Sequence, residues 1–76
     1  MDGYALRHAD LIGQGQTMLR LIGEQFAGRA TGLILGVGEC VRVTTGAPLP
    51  TGADTVAIKE NVSLEGDCVH VPSDTG

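Results

Sequence analysis

Apolar and polar residues alternate along much of this chain at a period of two. In ECVRVTTG, Val41 and Val43 alternate with Arg42 and Thr44, the signature of a half-buried strand. TVAIKENV repeats the pattern, with Val56 and Ile58 on one face and Lys59 pointing the other way, and CVHVP places Val69 and Val71 on one face. With SLEGD between them read as a turn, 55–62 and 68–72 form a predicted hairpin. Near the start, Asp2-Gly3 reads as a turn feeding a short strand at Tyr4–Leu6, and HADLIGQGQ as a polar, glycine-spaced loop. The stretch 17–28 is ambiguous. Met18, Leu19, Ile22 and Phe26 fall at helical spacing, whereas Gly23 in mid-run and the surrounding glycines favour a strand with a bulge or bend at Gly23. The burst Leu33–Leu35 either crosses the core once or forms a loop with buried anchors. The pattern predicts a mainly β fold: one small, irregular, barrel-like domain over 1–76, with about five short, mostly antiparallel strands and little helix.

Composition agrees with this reading. Glycine contributes 12 of 76 residues, about twice the usual frequency of roughly 7%, which opposes long helices and favours strands joined by turns. Aromatics are limited to one Tyr and one Phe, with no Trp, so Val, Ile and Leu must fill the core. The net charge of −4 argues against nucleic acid or an anionic membrane as partner, since both reward clustered Lys and Arg. No apolar run approaches the ~20 residues of a membrane span, and the N-terminus lacks the pattern of a signal peptide; a cytoplasmic setting is expected. There the two cysteines, Cys40 and Cys68, are expected as free thiols. With His8 and His70 they lack the close spacing of a zinc module, and no metal ligand set is assigned.

Two stretches carry candidate chemistry. In MDGYALR, Asp2 is a carboxylate held by a turn, suited to bind a metal ion or orient a water; the plainer reading is a turn beside a tyrosine that seeks both core and wet rim. In TTGAPLPTGADTV, Pro48 and Pro50 fix φ and remove two amide donors, which makes a poor anion cradle. Thr45 and Asp54 remain as polar groups on a stiff arch, whose plainer reading is a rigid connector at an exposed sheet edge. The glycines of IGQGQT and LGVGEC complete no phosphate-binding pattern.

MDGYALR followed about forty residues later by VRVTTGAPLPTGADTVAIKE resembles the N-terminal region of the molybdopterin molybdenumtransferase family (MoeA and the gephyrin E domain). The matching positions are Met1 to Ala5, Ala27-Gly28, Thr45 to Pro48, Pro50, Gly52 to Asp54, Val56 and Glu60. The resemblance implies a multidomain, homodimeric enzyme that inserts molybdate into adenylylated molybdopterin with the help of Mg²⁺. It implies that this segment is the β domain that closes over a cleft of the partner subunit, with Asp2 and Thr45 facing that cleft as candidate catalytic residues. The remaining domains of that family lie outside these 76 residues, so the chain reads as a fragment, expected to be inactive alone and to bind neither metal nor molybdate tightly. The alternative is a non-enzymatic dimerisation or scaffolding module of a gephyrin-like protein.

Overall fold

The computed structural model describes residues 2–13, 15–26, 32–44 and 46–75. Six strands form one curled, half-barrel sheet: β1 (Gly3–Leu6), β2 (Gln16–Gln25), β3 (Glu39–Val43), β4 (Thr55–Ile58), β5 (Ser63–Glu65) and β6 (Cys68–Pro72). Their order across the sheet is β4-β1-β3-β2-β6-β5. Every neighbouring pair is antiparallel except β2–β3, which is parallel. Among the described residues, helix is limited to two single 3₁₀ turns, His8–Asp10 and Lys59–Asn61. None of the helical segments among the described residues is long and apolar enough to cross a membrane.

The ambiguous stretch is strand. β2 runs unbroken to Gln25, and its register against β3 shifts between Leu21 and Gly23, leaving Ile22 as the bulged residue. The apolar residues that suggested a helix do not share a face: Leu19 is buried while Met18 is exposed. The strand wins because β6 and β3 pair with it along most of its length. Leu33–Leu35 is a loop with an anchor, since only Leu35 is buried and the segment contributes a single bridge, Ile34 to Thr51.

The expected hairpin between 55–62 and 68–72 is not present. β4 sits on one edge of the sheet against β1, and β6 pairs instead with β5, a sixth strand inside what the sequence presents as a turn. The true reversal is Gly66-Asp67, with Gly66 at φ +60°, the position where a two-residue II′ turn requires glycine. All three residues of β5 are exposed, so its strand character comes from edge pairing and not from burial. The face of β4 is also reversed in effect: Val56 and Ile58 share a side, but both are exposed, and Ala57 is the residue fully buried.

Burial on both sides of the central strands produces two apolar layers. Tyr4, Leu6, Leu19, Cys40, Ala57, Val69 and Val71 fill the concave side. Ala5, Val41 and Val43 face the opposite side, where Leu35 covers them together with the partly buried Leu33, Ala47 and Ala53. All four residues of β1 are buried, which explains why its sequence shows no polar alternation.

Cys40 and Cys68 are both free. They sit on opposite flanks of β2, against Leu21 and Arg20, so two strand spacings of about 4.8 Å separate them, beyond disulfide reach. Burial pushes the Cys40 thiol up to about 12, which leaves it unreactive.

Candidate functional site

β1–β3 pairing brings the two sequence motifs together. Gly3 opposes Val43 in an antiparallel register, so Asp2 and Thr44 lie one step further along, at the same end of the sheet. Asp2 is not in a turn; it leads straight into β1. Gly3 is required there for space, because a Cβ would lie 2.7 Å from the Ala57 carbonyl oxygen and 2.8 Å from Val56 Cγ1. The Asp2 carbonyl accepts the Lys59 N–H at 3.1 Å. Its carboxylate is held from across the strand by Arg42, Nη2 to Oδ2 3.3 Å, with both side chains roughly one-third exposed. Arg42 opposes Tyr4 in the register, so this is a diagonal cross-strand pair, within reach of long side chains.

Thr45 lies outside the described residues. Its neighbours are well placed: the Thr44 N–H donates to the Gln25 carbonyl, and the Ala47 N–H donates to the Thr44 carbonyl at 3.0 Å. Gly46, at φ +82°, supplies the left-handed residue that this turn requires. Ala27-Gly28 of the family pattern also falls outside the described residues.

The proline-rich loop is not a free arch at a sheet edge. It folds back over the convex face of the sheet as the cover of the second apolar layer. Pro50 is buried, the Thr51 carbonyl accepts the Leu35 N–H at 2.8 Å, and the Gln25 side-chain amide donates to the Pro48 carbonyl. At Gly52, φ is +97° and a Cβ would lie 2.9 Å from the Leu35 carbonyl oxygen; only glycine satisfies both conditions.

Asp54 is exposed but hydrogen-bonds back to the chain. One carboxylate oxygen accepts the His8 N–H at 2.8 Å and the Thr55 hydroxyl at 3.0 Å, and the His8 hydrogen bond, with Thr55 second, lowers its pKa from the ordinary value. Asp54 therefore clamps the loop to the segment after β1. A carboxyl whose pKa is depressed on folding contributes stability above its unfolded pKa of about 3.9 and loses it as the pH falls through the folded value. Asp54→Asn is accordingly expected to lower the melting temperature at pH 7 and to melt progressively closer to wild type below about pH 4. A constant gap from pH 7 to pH 2 would contradict this role.

A family model described as the MoeA N-terminal region (domain I and II) matches residues 1–75. The chain belongs to this family. It is 40% identical over 67 residues to a molybdopterin molybdenumtransferase of Haemophilus influenzae, covering 88% of this chain and 16% of that protein. A molybdopterin molybdenumtransferase of a Nostoc species is 34% identical over 74 residues, 93% of this chain and 17% of that protein. In structure, the chain superposes on the molybdopterin biosynthesis MoeA protein of Pyrococcus horikoshii with a TM-score of 0.90 and 33% identity, over 100% of this chain and 21% of that one. The chain thus spans about a sixth of the length of the relatives it matches.

Within the MoeA N-terminal pattern, two side chains escape sequence reading. Gln25 is 3% exposed and ties β2 to the proline loop, yet nothing around it in EQFAG signals burial. Arg42 looks like the solvated member of an alternating strand, and only the β1–β3 register reveals that it meets Asp2. Among the described residues, no group of three or more His, Cys, Asp or Glu side chains could hold a metal ion.

Proposed function

We propose that this chain serves molybdenum cofactor biosynthesis as the β lid of an enzyme that inserts molybdate into adenylylated molybdopterin. The observation that carries the reading is the convergence of both family motifs at one end of the β1–β3 pair, in a chain matched to the MoeA N-terminal region over residues 1–75. Asp2 acts on the substrate from that end, and Thr45 is the second residue assigned to the reaction. The loop behind them is held by Gln25, Leu35 and Asp54, so the surface that meets the cleft keeps one shape. The substrates are anionic, and this chain carries a net charge of −4, so the main anion-binding walls belong to the partner subunit of a homodimer, working in the cytoplasm.

Mg²⁺ fits this arrangement in part. Mg²⁺ usually takes one or two carboxylates and fills its remaining positions with water and substrate phosphates. Asp2, half-buried with its second oxygen free of Arg42, would supply one such carboxylate. Bound there, the ion would neutralise charge on the substrate phosphate; Arg42 meanwhile holds the carboxylate at the sheet end through its ion pair.

The test uses the full-length enzyme carrying this segment. Asp2→Asn and Thr45→Ala are each expected to slow AMP release coupled to molybdate insertion by at least about tenfold, a loss of about 1.4 kcal/mol in transition-state stabilisation, without loss of the folded dimer. Wild-type rates in both variants would refute the assigned roles. AMP release by the 76 residues alone would refute their role as a lid dependent on other domains.

A further inference from the structure

We propose that the groove between Tyr4, Arg42 and Lys59 is a binding site for the phosphate group of a small molecule. The groove offers about 360 Å³ and is completed by Val62 and Leu64, a size at the lower end of small-ligand sites. Two of the chain's five basic residues converge on it from different elements, Arg42 from β3 and Lys59 from the 3₁₀ turn that follows β4.

The unusual member is Tyr4. It is 3% exposed, yet its hydroxyl has no hydrogen-bonding partner among the described residues. No fully enclosed side-chain oxygen or nitrogen among them lacks a partner, so this hydroxyl is the part of Tyr4 that reaches the groove. A buried tyrosine ordinarily finds a partner for its hydroxyl; here the donor is left for something that enters. Lys59 forms no ion pair among the described residues, and Arg42 commits only Nη2 to Asp2, leaving other guanidinium donors of its fork.

A tetrahedral oxyanion suits this set, because its oxygens can take a phenol O–H, an ammonium and a guanidinium at once, through charge-assisted hydrogen bonds. Two carboxylates temper the field: Asp2, already paired, and Glu24, exposed and opposite Arg42 in the β2–β3 register. Val62 and exposed Leu64 form an apolar rim, which suits a phosphate carried on a planar or apolar body. The site does not depend on molybdenum chemistry and would exist in a chain with no such role.

The test is a titration of the ¹⁵N-labelled chain followed by amide shifts at constant ionic strength, with inorganic phosphate, phenyl phosphate and uncharged phenol. Both phosphates are expected to give saturable shifts clustered on 3–6, 41–43 and 59–64, and phenol none. Phenyl phosphate tighter than phosphate marks an organic phosphate as the natural ligand; equal affinity marks the free anion. Lys59→Gln is expected to weaken binding by about tenfold and Tyr4→Phe, which preserves the ring and hence the fold, by about threefold. Absence of saturation, shifts centred elsewhere, or affinities unchanged in both variants would overturn the proposal.

Discussion

Leu6→Ala is expected to remove a large share of the chain's stability. Leu6 is fully buried at the C-terminal end of β1, in the concave layer with Leu19, Cys40, Val69 and Val71. Truncating a buried leucine typically costs about 2–5 kcal/mol, the loss growing with the cavity left behind. A chain of this length holds roughly 4–11 kcal/mol in total. Two features place Leu6 high in the range: strands flank β1 on both sides, so the backbone cannot collapse inwards, and no large aromatic stands in this layer except Tyr4 to move into the space. Urea denaturation followed by circular dichroism checks this. A midpoint within experimental error of wild type would mean that the concave layer is not the structural core.

Gly3→Ala tests a different kind of tightness. The added methyl would meet the Ala57 carbonyl oxygen and Val56 Cγ1, both well inside contact distance, and a backbone oxygen cannot rotate away. β4 must move outwards, with a cost of about 1–3 kcal/mol typical of overpacking. Because the Lys59 N–H to Asp2 carbonyl bond closes the same β1–β4 junction, the shift would also displace Asp2. The expected result is a lower urea midpoint together with faster amide exchange at Thr55–Lys59, while amides in the β2–β6 pair stay protected. Uniform destabilisation without this local signature would show that the contact at Gly3 relaxes easily.

Much of this fold can be read in the sequence where one face of a strand is buried and the other is wet. β3 and β6 are such strands, and their alternation locates them. β2 is legible for a different reason: Gly23 interrupts a helical spacing that would otherwise be persuasive, and the bulge falls beside it. The pattern fails where pairing alone makes the strand. β5 has three exposed residues and exists because β6 offers it an edge. β4 exposes its two largest apolar residues and buries an alanine, so its alternation points to the wrong face. The site follows the same division. Asp2 and the VTTG strand end stand out by motif, but their proximity is a property of non-local register. The proline loop looked like an edge connector because no periodicity reveals which surface a loop covers; Pro50 and Gln25 show that it is part of the core.

The position of β1 also constrains how the chain can assemble. Among the described strands, β1 has no local partner: it sits between β3 and β4, whose paired residues follow it by some thirty-four to fifty-five positions. Its pairing with β3 must wait for residue 43 and that with β4 for residue 58, and the parallel β2–β3 pair requires a long crossover before it can close. Topologies of this kind fold slowly, because loop-closure entropy is lost before contacts repay it. During synthesis, the segment that carries Asp2 is therefore made ahead of both of its partner strands and locked in place late.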